Sequence, residues 1–180
     1  RHLIMVSDQA ATAGDGAVMI TNGLIRGLAT GDITYTASGN FADGISVWSG
    51  AGDDSFNVNS THKSSGLRTV TTLNTGEGSD NVTVDLDTAS DGFFVLNTQG
   101  GDDIIDASSS TLQQLIFGGS GIDDIKGGQA EDIIFGDRGR VHYMDENDDV
   151  VAVMGGGGPG DKTDGVIRGL GKLFSFDIST

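Results

Sequence analysis

Gly118 to Phe135 reads GGSGIDDIK followed at once by GGQAEDIIF, two nine-residue units back to back. Their shared pattern is Gly-Gly-x-Gly-x-Asp-x-apolar-x, with Ala130 in the third glycine place of the second unit. Glycines at this density permit a tight turn with positive φ angles. Such a turn exposes main-chain carbonyls and sets the Asp carboxylate beside them. The apolar residue two places after the Asp, Ile125 or Ile134, opens a short strand that points inward. Tandem units of this kind predict a stack of the parallel β-helix or β-roll type.

The same frame recurs upstream. Aligned on the Asp, it gives SGAGDDSFN at Asp54, TGEGSDNVT at Asp80, TQGGDDIID at Asp103, GGSGIDDIK at Asp123 and GGQAEDIIF at Asp132. The steps between these carboxylates are 26, 23, 20 and 9 residues. The first three shrink toward two nonapeptides, one full coil each; the last is half a coil, which puts Asp132 at the opposite corner. Seven residues before the Asp stand Val47, Leu73, Leu96 and Ile116, and two after it stand Phe56, Val82, Ile105 and Ile125. Four after it stand Val58, Val84, Ala107 and Gly127. Columns keep their character in this way when like residues stack from repeat to repeat. Asn74 and Asn97 share a further column and predict an amide ladder. The competing reading, an antiparallel sandwich with Gly/Asp-rich turns, leaves the fixed apolar offsets unexplained.

Hard oxygens gathered from a glycine turn and a carboxylate suit Ca²⁺, which takes about six to eight oxygen ligands. The candidate side-chain ligands are Asp54, Asp80, Asp103, Asp123 and Asp132, with Asp53, Asp102, Asp124 and Asp137 in second line. Asp103 and Asp123, one short coil apart, make the best single pair. The units resemble the RTX (haemolysin-type) calcium-binding nonapeptide of large secreted bacterial proteins. IIFGDRGRVHY is also similar to segments between calcium blocks in large RTX-like repeat proteins. The resemblance covers about residues 28–168 and is tightest over 45–143. It implies ions between successive turns, held by the Asp and by carbonyls of Gly50, Gly52, Gly76, Gly78, Gly101, Gly119, Gly121 and Gly128. Three departures bear on this. Ser49, Thr75 and Thr98 replace the first glycine, Gln99 replaces the second, and Ala130 the third. They leave open that upstream sites are partial, or that hydrogen bonds hold the turns with no ion.

Composition bounds the rest. The 180 residues carry a formal charge of −16, from 26 acidic and 10 basic side chains. Such a surface repels nucleic-acid phosphates and anionic membranes. Apolar content is 36%, so the core should be narrow; 30 glycines and one proline fit many tight turns. With no cysteine, disulfides and thiolate zinc sites are excluded. No run of about 18 apolar residues is present, so no membrane insertion is expected. Starting at Arg1 without an initiating Met or leader, the chain reads as a piece of a longer protein.

The expected fold is an all-β, right-handed parallel β-helix or β-roll solenoid with Gly-Asp-rich turns, an irregular N-terminal cap and a C-terminal β-hairpin. Residues 1–44 are read as capping strands: HLIMV, a hairpin over AVMIT-NG-LIRGL, and ITYT. Residues 45–139 form the solenoid. Residues 140–180 supply the hairpin, in which RVHYM and VVAVM flank DENDD, then a glycine-rich loop over 154–166 and a last strand within 170–178. The expected role is a non-catalytic structural or adhesive module, secreted or on the cell surface. Its partners would be calcium ions, another copy of itself or a cell-surface glycan. Two alternatives were weighed. A β-helix polysaccharide lyase or epimerase would need clustered Lys, Arg or Tyr, which are dispersed here. A carbohydrate- or ice-binding face would need a repeated Thr array, for which only Thr69, Thr71 and Thr72 offer themselves. His2, His62 and His142 are read as surface or strand residues, Arg138 and Arg140 as partners for Asp137 or Asp145, and Trp48 as core or a capping aromatic.

Overall fold

The computed structural model describes residues 2–36, 41, 44–64, 67–145 and 147–155, with the main chain alone at 64, 67–68, 151, 166–167 and 172–177. The chain is all-β, with no helix among the described residues. Two sheets form its body. The first runs β1 (Ile4–Ser7), β5 (Ile45–Trp48), β8 (Leu67–Asn74), β10 (Phe93–Asn97), β12 (Gln114–Phe117) and β14 (Ile133–Phe135), each pair parallel. The second runs β13 (Asp124–Lys126), β11 (Ile104–Asp106), β9 (Asn81–Val84), β6 (Ser55–Val58) and β2 (Val18–Ile20), also parallel. From β5 onward the chain passes alternately between the sheets and takes the next place in each on every return. Parallel neighbours of this kind are incompatible with the antiparallel sandwich.

The registers reproduce the sequence columns. Val47, Leu73, Leu96 and Ile116 are paired in turn across the first sheet. Phe56, Val82, Ile105 and Ile125 do the same across the second. These side chains point into one core between the sheets, where all but Ile125 are fully buried. Burial of such a Leu, Ile or Phe contributes roughly 1.5–3 kcal/mol each. At the end of the first-sheet strands, Asn97 Nδ2 donates to Asn74 Oδ1 at 2.7 Å, and Asn74 Nδ2 to Val47 O at 3.3 Å. Both amides are fully buried, so the predicted ladder is present.

Both sheets become mixed at their margins. β2 turns at Asn22-Gly23 into β3 (Leu24–Arg26), and β4 (Ile33–Thr34) follows, both antiparallel. Leu28, Tyr35 and Phe41 complete the core at that end, and Tyr35 Oη donates to Thr21 O at 2.6 Å. β1 and β2 continue the two sheets in register. The long return after β6 holds an extra short pairing, β7 (Lys63–Ser64) on β8, and β17 (Val166–Ile167) also lies antiparallel on β8. A third sheet is the predicted hairpin, β15 (Arg140–Met144) and β16 (Val150–Gly155), with β18 (Lys172–Asp177) on the other side of β15. Its Val141, Tyr143 and Met154 cover the outer face of the first sheet at Phe93, Val95, Leu115 and Phe117. The glycine-rich loop read at 154–166 lies largely outside the described residues.

Candidate functional site

The turns that lead from the first sheet into the second bring five aspartates into one column. The link is the same at each level: the main-chain N–H of one Asp donates to the carboxylate of the next. Asp15 N reaches Asp54 Oδ1 at 2.6 Å, Asp54 N reaches Asp80 Oδ1 at 2.8 Å, Asp80 N reaches Asp103 Oδ1 at 2.8 Å, and Asp103 N reaches Asp123 Oδ1 at 3.1 Å. The sequence frame thus brings together Asp54, Asp80, Asp103 and Asp123. Asp15 is a member that the frame misses. Its apolar partner, Val18, follows at three residues instead of two, and only Gly14 precedes it in the turn.

The second carboxylate oxygens divide the column. Asp54 Oδ2 accepts from the Ser49 hydroxyl. In the same place Thr75 and Thr98 give their protons to carbonyls instead, to Thr98 O at 3.2 Å and Gly118 O at 2.6 Å. Asp15 Oδ2, Asp80 Oδ2, Asp103 Oδ2 and Asp123 Oδ2 are buried with no hydrogen bond of good geometry, although the Thr75 and Thr98 hydroxyls lie near enough to Asp80 and Asp103 to pull their pKa values down. Asp80 is 2% exposed and Asp103 1%. Desolvation is the main effect on both: it pushes Asp80 up to about 7 and Asp103 up to about 6, against the pull of their hydrogen bonds. Asp123 is raised for the same first reason, and the neighbouring charges of Asp102 and Asp137 add to it. At Asp123 the hydroxyl position is occupied by Gly118, and a Cβ there would collide with Asp123 Oδ2.

The outer carboxylates make a second row. Asp53 Oδ1 accepts from Ser79 N at 2.8 Å and Asp102 Oδ1 from Ile122 N at 2.9 Å. Asp124 is exposed at the start of β13, and Asp137 Oδ1 accepts from Arg138 N at 2.8 Å.

Asp132 stands before β14, a first-sheet strand, and so occupies the opposite corner as expected. There both its oxygens are spent on main-chain donors, Gln114 N at 2.9 Å and Gly128 N at 2.5 Å. Asp91, which the frame passes over, is its counterpart: Thr61 N and Asp87 N donate to its two oxygens, each at 2.7 Å. No glycine turn precedes Asp91 at the required spacing, which is why only the structure finds it. The two corners differ, then, in what their carboxylates have left to offer.

The glycine carbonyls are arranged differently from the ion cage that the resemblance implies. Gly50 O accepts from Glu77 N and Gly76 O from Gly100 N, each at 3.1 Å. Gly52 O, Gly78 O and Gly101 O press against the α-carbons of Gly78, Gly101 and Gly121 on the next turn, where a Cβ would collide with each. Successive turns are therefore in direct contact, and glycine is required there by the approach of one backbone to another. Gly119 and Gly121 belong to the last turn of this series, and Gly128 lies at the Asp132 corner. For a Ca²⁺ ion the donor chemistry fits at the Asp80, Asp103 and Asp123 oxygens, whereas Gly50 O and Gly76 O already accept main-chain N–H groups. Among the described residues no three His, Asp or Glu side chains converge on one point.

Other expected residues fall as follows. His62 is buried, not on the surface: Nδ1 is 3.0 Å from Thr69 Oγ1, the Phe41 ring packs edge-on at 4.6 Å, and desolvation holds its pKa down. His2 is exposed beside Phe41, and His142 sits on β15. Trp48 is half-buried at the end of β5. Thr69, Thr71 and Thr72 are buried in β8 and present no exposed array. Comparison of the chain with family models, curated proteins and solved structures finds no match.

Proposed function

We propose that this chain is a non-catalytic structural module of a secreted or cell-surface repeat protein. In this reading it is an RTX-like parallel β-helix of the β-roll type, ordered by Ca²⁺ along its aspartate column. The observation that carries this reading is the set of buried, unmet Oδ2 atoms on Asp80, Asp103 and Asp123. Stacked carboxylates repel one another, and a buried charge with no partner costs several kcal/mol or takes up a proton instead. Among the described residues the hydrogen bonds to the column come from main-chain N–H groups and hydroxyls, and the ion pairs Arg26–Asp32 and Lys126–Asp106 lie on exposed surface. Neighbouring levels, Asp80 with Asp103 and Asp103 with Asp123, would each share an ion by pairs, with the remaining ligands supplied by water, and the ion would supply positive charge beside the carboxylates. The residues' own part is to keep the carboxylates aligned: Oδ1 of Asp54, Asp80, Asp103 and Asp123 is fixed by the main-chain N–H of the preceding level.

An adhesive role, with a glycan or another surface as partner, belongs to the same proposal. A rigid stack of this kind presents its outer loops at fixed spacing. The test is thermal unfolding followed by circular dichroism. EDTA should lower the melting temperature well outside error and added Ca²⁺ should restore it. An identical melting curve with and without Ca²⁺ would remove the ion from the account.

A further inference from the structure

The two sheets do not end level. β12 and β13 are successive strands of one pass, and β14 adds a place to the first sheet that has no counterpart in the second. The result is a step one strand high, with β14 protruding beside β13, which pairs with no strand but β11 among the described residues. The core is open at this step. In the column Val47, Leu73, Leu96 and Ile116 every side chain is fully buried, yet Ile134, next in register, is 44% exposed. Phe56, Val82 and Ile105 are closed off, and Ile125 after them is half-buried. The main-chain ladder also stops short. Asp103 N reaches Asp123 Oδ1 and Asp124 N reaches Asp103 O, but among the described residues nothing answers the N–H or C=O of Asp123. At the opposite end β3 and β4 finish the second sheet over the buried Tyr35 and Phe41, while β1 is the last strand of the first sheet with Ile4 and Val6 packed against the core. The described tail strands lie elsewhere, β17 on β8 and β18 on β15.

We propose that this step is the interface of a two-fold dimer, in which β14 of each copy fills the notch beside β13 of the other. A step of this shape is its own complement. A two-fold axis lying between the sheets and along the strands exchanges the first sheet with the second. It sets the protruding β14 of one copy in line with the partner's second sheet and closes both sheets at once. The two edges match in length, three residues each. They also match in charge: β14 is Ile-Ile-Phe with no charge, and β13 carries one Asp and one Lys. Ile125 and Ile134 of both copies then meet in a continuous core. Sheet edges that leave apolar side chains exposed seek such a partner, and an isologous contact closes after two copies instead of growing.

The test is sedimentation velocity of the whole chain over a range of concentrations. A species of twice the chain mass should appear as concentration rises. Ile134→Glu should abolish it with far-UV circular dichroism unchanged, and Ile104→Glu, equally exposed but in the middle of the second sheet, should leave it intact. Hydrogen exchange of the unmodified chain gives a reading that needs no variant: amides of β13 and β14 should exchange more slowly at high concentration. A monomer at every soluble concentration overturns the proposal. So does a dimer that survives Ile134→Glu with β13 and β14 amides unprotected, or a mass that grows without limit.

Discussion

Gly101 shows how much a single residue carries here. Its φ is +127°, and a Cβ on it would collide with Gly78 O of the previous turn. The spacing Gly-x-Gly-x-Asp was legible as a turn with positive φ, and that reading holds. What the spacing does not reveal is why glycine is needed at the third glycine place, two before the Asp: turn packs on turn, carbonyl against α-carbon, so no side chain fits. Gly101→Ala should therefore lose both the backbone conformation and the contact, at a cost of roughly 2–5 kcal/mol in chemical denaturation. An alanine variant as stable as the parent would show that the turns are not in contact. Gln99 is the instructive exception. It stands in line with Gly76 and Gly119 and adopts φ +69°. A glutamine reaches that region only at some energetic cost. The departures at Ser49, Thr75 and Thr98 also gain a reason. Each places a hydroxyl beside the column: Ser49 bonds Asp54 directly, while Thr75 and Thr98 bond carbonyls and also pull on Asp80 and Asp103.

At the scale of the element, the aspartate column behaves as a titratable strut. Its members at Asp54, Asp80, Asp103 and Asp123 were legible because the glycine turn fixes their spacing. Asp15 was hidden by one additional residue before Val18, and Asp91 by the lack of a glycine turn. What each oxygen bonds to was not legible, since Asp132 and Asp103 have the same local sequence pattern and opposite degrees of satisfaction. The pH dependence follows from burial. Asp80 and Asp103 are raised from 3.8 to about 7 and about 6. Between these values the folded chain binds more protons than the unfolded one, so stability falls as pH rises through that window. Below the unfolded value this contribution is fully present. Asp32, Asp106 and Asp145 are shifted the other way, and their effect is confined to the range below 3.8. In EDTA the protein should therefore melt at a higher temperature at pH 5 than at pH 8. With Ca²⁺ present the gap should narrow, because the ion takes the protons' place. A melting temperature that rises from pH 5 to pH 8 in EDTA would mean that these carboxyls are not buried as described.

For the whole molecule, hydrophobic columns at fixed offsets from the aspartates predicted which residues share a register, and the two sheets pair them so. The margins were less legible. β1 and β2 continue the regular sheets although their turn departs from the frame, and the outer packing of Val141, Tyr143 and Met154 on Phe93 and Leu115 depends on contacts between distant segments. A period read along the chain finds what repeats; it does not find what covers the repeat. The reading of the molecule as an ion-ordered stack turns on the carboxylate oxygens that the chain leaves unmet. The most direct measurement is calorimetric titration of Ca²⁺ into the metal-free protein at pH 8, alongside Asp103→Asn and Asp132→Asn. In Asp103→Asn the amide oxygen still accepts Asp80 N, whereas Asp132→Asn leaves one of Gln114 N and Gly128 N without its acceptor, so circular dichroism of each variant accompanies the titration. The account predicts saturable binding by the native chain, at least about tenfold weaker in Asp103→Asn and unchanged in Asp132→Asn, whose oxygens are already committed. No binding by the native chain, or equal binding by Asp103→Asn, would contradict it.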